Sequence, residues 1–393
     1  MGFLWRPKPK PPIEPPVPPV PPDPPIQPDP PPVVYPARLY RHPDVLGGRN
    51  LCRMGTATPE VMFGVSAFSA CHLVFHGQQG ELERYLDWMR ENRLTYGRVF
   101  LSARNMFDLH PQDGLSMLPV VLDLFGRRGL YCEVVAIADT GTREGYDWTA
   151  HVHQAGVTCS QFSNSLIEVC NEPAQPWQRF SVQQLAEMAA WIPAEVPVSL
   201  GAADGGNDES TEFISSRSTY ATVHGDRNGG AYGWRPCRHT KEQLHISEKT
   251  KLMAWNDERF REMHDPARHF AVSAVERVCH LGGLFHSEGG KYCRIPDGDE
   301  LPCWQQTRRA WDFLPVGFFG TFANVGWRHP LPESAVDSFT AIDNDPDARC
   351  YATGNGAEQY VAVIRAQPIW RSGWRVVESI DAGPNASFVH VVR

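Results

Sequence analysis

The chain has ten cysteines but no Cys-x-x-Cys pair among them. A structural zinc site normally draws on such short-range pairs, so this spacing argues against one. His72 and His76 stand four apart, but no glutamate lies between them, which excludes a zinc-protease helix. The start MGFLWRPKPK turns into proline before any apolar h-region can form, so no secretory signal is predicted, and the sixth position lacks the Ser or Thr of a myristoylation signal. No apolar run approaches the length needed to span a bilayer. The sequence therefore predicts a soluble protein, in a cytoplasm or on a virion, with no membrane partner. Basic stripes are also missing: lysines and arginines are scattered among acids and the net charge is −8, so nucleic acid is not expected as a partner.

Cysteines such as Cys132 in LYCEVV and Cys170 in IEVCNEP sit in apolar runs, where a thiol behaves as a small buried hydrophobe. Cys293 and Cys303 flank a polar loop and could be bridged in an oxidising compartment. Otherwise the composition is that of a globular protein, with 42% hydrophobic and 21% charged residues over 393 positions.

About half of the 35 prolines fall between residues 7 and 36. Such a run forms neither helix nor ladder and should adopt polyproline II, reaching on the order of 90 Å at ~3.1 Å per residue. Residues 1–37 thus read as an extended arm, either a passive spacer or a tether whose apolar tip (Phe3, Leu4, Trp5) engages a larger assembly through residues 1–36. From there to residue 330, eight short apolar runs alternate with helical patterns. The runs are 61–68, 96–103, 130–138, 166–172, 196–202, 220–226, 251–258 and 283–289. Segment 81–93 places Leu82, Tyr85, Leu86 and Met89 on one helical face, and 266–282 opens with Asp265 as cap and Pro266 at the first position. Eight β/α units over 38–330 predict a (β/α)8 barrel, a fold typically of ~250 residues. The competing doubly wound sheet would want a Gly-rich phosphate turn after its first strand, and none is present. Residues 331–393 lose the helical pattern and read as short strands joined by Asn-, Asp- and Gly-rich turns, a small β domain.

In such a barrel the chemistry sits at the C-terminal ends of the strands. Those ends carry Asn171-Glu172-Pro173 on the fourth, His224-Gly225-Asp226 on the sixth, Asn256-Asp257-Glu258 on the seventh and His286-Ser287-Glu288 on the eighth. Folding alone does not ask for carboxylates and imidazoles gathered at one rim, because clustered charge costs stability.

The run IEVCNEP resembles the fourth-strand motif of the clan of retaining β-glycosidases with TIM barrels, which includes cellulase-, mannanase- and β-galactosidase-like enzymes. The resemblance covers the barrel, about three quarters of the chain, and not the arm. It implies Glu172 as acid/base, Asn171 as the residue that binds the sugar 2-hydroxyl, and Glu258 as nucleophile, with no metal or cofactor. AWNDERF lacks the Glu-Phe-Gly or Glu-Thr-Gly ending common in the clan, so Asp257 and Glu288 compete with Glu258. Glu288 would be the better choice if FHSEGG followed the seventh strand. The same resemblance implies that His224 stands near the nucleophile and that Arg98, on the second strand, pairs with it. His286 and Glu288 either line the pocket or mark the turn at Gly289-Gly290, and Glu168 fits a buried structural carboxylate. Trp255, Trp304 and Trp327 are candidate sugar platforms, although most tryptophans are core. The expected function is retaining hydrolysis of a poly- or oligosaccharide. The alternative is a barrel that binds carbohydrate without cleaving it, as a structural or adhesion protein tethered by its arm.

Overall fold

The structure, a computed structural model, describes residues 34–104, 106–138, 145–173, 178, 180–201, 217–223, 246–247, 250–256, 266, 269, 273, 276–277 and 282–313. It describes backbone alone at 254–256, 288, 313 and in the strands after residue 338. The proline-rich run to residue 33, His224, Asp257, Glu258 and Trp327 lie outside the described residues, as does most of the helix expected at 266–282.

A two-residue hairpin, β1 (Leu39–Tyr40) against β2 (Cys52–Arg53), precedes the barrel. Eight strands follow: β3 (Phe63–Ser66), β4 (Tyr96–Phe100), β5 (Tyr131–Ile137), β6 (Ser165–Cys170), β7 (Val198–Ser199), β8 (Ala221–Val223), β9 (Ala254–Asn256) and β10 (Gly282–Phe285). Each overlaps one of the eight apolar runs read from the sequence, β6 and β10 beginning one residue before theirs. All their ladders are parallel, in the order β7-β6-β5-β4-β3-β10-β9-β8. The two ends of that order, β7 and β8, meet. The Thr219 amide donates to the Val198 carbonyl at 2.6 Å, and the Ser199 and Thr222 hydroxyls are 3.1 Å apart. The sheet therefore closes, and the fold is a TIM barrel.

Of the two helices placed from the sequence, the one at 81–93 is described and forms, over Gln79–Glu91. After the short α1 (Ala70–Phe75), α2 (Gln79–Glu91) buries Leu82, Tyr85, Leu86 and Met89, the face expected from their spacing. Helix α3 (Pro111–Gly126) starts with His110 accepting from the Gln112 amide and with proline at its first position, which needs no amide hydrogen there. Asp147 caps α4 (Trp148–Ser160), and Ser181 with Gln184 forms a capping box on α5 (Val182–Ala189). Two further helices, α6 (Glu288–Lys291) and α7 (Glu300–Phe313), follow the last barrel strand. At the base, Arg38 donates to the Ser160 and Phe162 carbonyls at 2.8 and 2.9 Å, and the Tyr35 hydroxyl bonds Asp123.

The barrel interior is layered. Its floor is apolar: Met62, Tyr96, Tyr131, Leu166, Tyr220, Met253 and Leu284 pack together above Leu39 and Leu51 from the hairpin region. Gly64 is needed here, because a Cβ on it would lie 2.5 Å from the Tyr96 ring. Above the floor runs a polar belt of Ser66, Arg98, Glu133, Glu168, Ser199 and Thr222, each with 0% of its surface exposed. Charges so deep are tolerated only when paired and hydrogen-bonded, so the belt constrains which atoms must meet.

After the barrel the chain is antiparallel. Strand β11 (Phe339–Ala341) pairs with β14 (Ala366–Pro368). Strands β12 (Arg349–Gly354), β13 (Glu358–Ile364), β16 (Ala386–Val392) and β15 (Arg375–Gly383) form a four-stranded sheet in that spatial order.

Candidate active site

Residues 171–173 continue β6, the fourth barrel strand, beyond its last ladder residue. Strand alternation puts Leu166, Glu168 and Cys170 on one face, and Leu166 and Glu168 fill the barrel interior. Arg98 reaches them from β4. Its Nη2 and Nε donate to Glu168 Oε2 at 2.7 and 3.1 Å, and Nη2 also donates to Asn171 Oδ1 at 2.9 Å. The guanidinium lies over the rings of Phe68 and Phe100, 5.5 and 5.2 Å from their centroids, and those rings stack on each other at 4.0 Å. Arginine is fixed on all sides.

This contact also orients the asparagine. A guanidinium only donates, so the Asn171 atom facing it must be the carbonyl oxygen, which turns the Nδ2 amide away from Arg98. Gln178 holds the backbone of the same corner, its Nε2 donating to the Ala138 and Asn171 carbonyls at 2.8 Å each. The ends of the third and fourth barrel strands are thereby stitched together. Gly201, just past β7, presses against the corner: a Cβ there would lie 1.9 Å from the Cys170 carbonyl oxygen, and its φ is +114°.

Glu172 is 9% exposed and Asn171 7%, so both sit at the rim with little of their surface in water. The backbone of Glu172 is left-handed, with φ +44°. That conformation costs a non-glycine residue on the order of 1–3 kcal/mol and persists only where the surroundings impose it. Cys170 reports the local field: burial first, then the Glu168 and Glu172 carboxylates, push its thiol well above the usual range.

Beside this corner, His286 follows the eighth strand. Its Nδ1 lies 2.6 Å from the Ser66 hydroxyl, and its ring stacks on Phe68 at 5.2 Å. Of the two roles the sequence leaves open for His286, neither requires this burial at 1%, with β3 on one side and Phe68 on the other. Glu288 opens α6, whose cap is the Ser287 hydroxyl accepting from the Gly290 amide at 2.8 Å. FHSEGG thus follows the eighth barrel strand. The seventh, β9, carries Trp255 in its backbone, and Glu258 comes two residues after its last residue, Asn256. Glu172 stands at the same offset from Cys170 on β6.

Two sequence expectations change. Trp304 is not a rim platform: it is 4% exposed on α7 and packs against the barrel wall, stacked on Phe63 at 5.9 Å and edge-on to Phe285 at 5.3 Å. The apolar strand exterior needs covering, and an indole on the inner face of α7 does it. Cys293 and Cys303 are separate buried thiols, not a bridge. Glu168 is the buried structural carboxylate expected of it, and Arg98 binds it; Glu258, the expected partner of Arg98, lies outside the described residues. Gln178 and Ser66 were missed altogether. Neutral polar residues in a loop or at a strand end carry no periodic signal.

Among the described residues no three His, Cys, Asp or Glu side chains gather as a metal site, and no helix is long and apolar enough to cross a membrane. No protein-family model matches the sequence, and no curated protein matches it. Solved structures match by fold. A glycoside hydrolase family 5 protein from Bacteroides vulgatus superposes with a TM-score of 0.58 at 11% identity, over 90% of this chain and 93% of its own. The endo-1,4-β-mannanase from Rhizomucor miehei gives 0.51 at 11% identity, over 71% of this chain and 100% of its own. At such identity the likeness is one of fold.

Proposed function

We propose that the chain is a glycoside hydrolase that cleaves a poly- or oligosaccharide with retention, using Glu172 as acid/base and Glu258 as nucleophile. The observation that carries the reading is the corner at the end of the fourth barrel strand. There a buried Arg98–Glu168 pair fixes the Asn171 amide beside Glu172. A barrel needs no such construction to fold. The matched solved structures, one of a glycoside hydrolase family 5 protein and one of an endo-1,4-β-mannanase, share the architecture and support the same reading.

Retention needs two carboxyl groups ~5–5.5 Å apart. One attacks the anomeric carbon while the other protonates the leaving oxygen, and the second then deprotonates the water that releases the sugar. Glu172 suits the proton-transfer role by its place just past the end of the fourth barrel strand, 9% exposed and next to Asn171. Asn171, with its amide turned outward, donates to the sugar 2-hydroxyl, a bond that strengthens as positive charge develops on the ring. The strand count favours Glu258 over Glu288 as nucleophile, since β9 is seventh and β10 eighth. His224, His286, Glu288 and Trp255 complete the pocket in this reading. The arm at 1–37 tethers the barrel of 38–330 to a larger assembly, and 331–393 forms the appended β domain.

Hydrolysis of aryl glycosides and bacterial polysaccharides by wild type and Glu172→Gln tests the assignment. A loss of about 10²–10⁴-fold with the fold intact is expected, the usual contribution of a positioned acid/base. Wild-type protein that binds a glycan and cleaves nothing would make the barrel a carbohydrate-binding body instead. Equal activity in the variant would remove Glu172 from the mechanism.

A further inference from the structure

His72 and His76 take no part in the chemistry above. They lie on and just past α1, in the segment that links β3 to α2, with the His76 amide donating to the His72 carbonyl at 3.0 Å. One helical turn thus sets the two imidazoles side by side, their centroids 4.3 Å apart. His72 is half-buried against Phe107, 5.3 Å between centroids, while His76 is exposed. The Nδ1 atom of His72 is buried and makes no hydrogen bond. A buried polar atom left in that state costs free energy and calls for an explanation.

We propose that His72 and His76 form a two-imidazole chelate for a late first-row divalent cation, Cu2+ before Ni2+ or Zn2+. Imidazole is a preferred ligand of these ions, and Cu2+ heads the affinity order. Ligation requires neutral rings. Solvent at the exposed His76 side supplies the remaining ligands. The inference does not depend on the glycosidase reading.

The test is titration of the full chain with Cu2+, followed by calorimetry and by electron paramagnetic resonance. One tight site per chain is expected, with hyperfine structure from two imidazole nitrogens. In His76→Gln affinity should fall by more than about a hundredfold, beyond the ~10–100-fold that the loss of an outer-shell partner costs. His153→Gln, an exposed histidine on α4, should leave the site unchanged. His72→Gln is the second variant should His76→Gln fail to fold. Absence of a tight site in wild type, or a site that survives both substitutions, would overturn the proposal.

Discussion

Arg98→Met is the perturbation that bears most directly on how the corner is built. It removes both bonds to Glu168 Oε2, at 2.7 and 3.1 Å, between two side chains with no exposed surface, and the 2.9 Å bond to Asn171. Breaking a buried pair from one side costs about 3–5 kcal/mol, because the remaining charge stays in the interior without its partner. For a domain of this size that corresponds to a fall in Tm of roughly 10 °C. The double variant Arg98→Met/Glu168→Met removes both charges at similar volume and should recover at least about 2 kcal/mol of the loss. Thermal melts of the wild type, both single variants and the double variant give the coupling. The deficit of the single Arg98→Met variant relative to wild type should also be smaller at pH 5 than at pH 8, since protonation relieves a buried carboxylate that has lost its cation. Activity separates the two roles of the arginine: the double variant regains stability but still lacks the donor that orients Asn171, so its kcat stays low. An Arg98→Met protein melting within about 2 °C of wild type, or a double variant with wild-type kcat, would refute the reasoning.

Gly201→Ala should destabilise by about 1–3 kcal/mol, measured by denaturant titration, because its Cβ meets the Cys170 carbonyl oxygen at a backbone φ of +114°. A substitution without effect would show that the β6 corner gives way freely. His151 is buried, and burial pushes its imidazole down to about 4, with one ring nitrogen at 2.9 Å from the Ala136 carbonyl. The unfolded chain takes up a proton there near pH 6.5, so this contribution is complete above that pH. It declines as the pH falls towards 4, by on the order of 3 kcal/mol in all. His151→Gln should flatten that part of the stability profile relative to wild type. Trp304→Ala should cost about 3–5 kcal/mol, the price of emptying a core site. KM should not move, and a raised KM with unchanged stability would return Trp304 to the rim.

The eight strands were legible because a parallel strand is buried on both faces and reads as an unbroken apolar run. Helix α2 was legible from Leu82, Tyr85, Leu86 and Met89 alone. The polar belt was half legible. Arg98 in YGRVF, Glu133 in YCEVV and Glu168 in LIEVC are single charges inside apolar runs on three consecutive strands. Their partners were not, because register decides them. Arg98 is level with Glu133 across β4 and β5, yet Glu168 is level with Val135, two residues further along. That stagger belongs to the tilt of the whole barrel and is written in no one strand. Trp304 misled for a related reason: its neighbours Gln305 and Gln306 look solvent-facing, and only the placement of α7 shows which side meets the sheet.

The end of β6 carries two largely buried polar side chains in succession, Asn171 and Glu172. Alternation sends Glu168 and Cys170 to one face and would send Asn171 to the other, towards the helices. Yet the Asn171 amide meets Arg98, which lies inside with Glu168. The alternation must therefore break between Cys170 and Glu172, and the left-handed φ of +44° at Glu172 is where the backbone departs from strand geometry. Pro173 then cannot return the chain to a ladder, since it has no amide hydrogen to donate. Gln178, tied to the Asn171 carbonyl, and Gly201, tight against Cys170, hold the departure in place. The order of residues in Asn171-Glu172-Pro173 thus has a structural consequence. It lets the asparagine be gripped from within while the glutamate is turned to the rim.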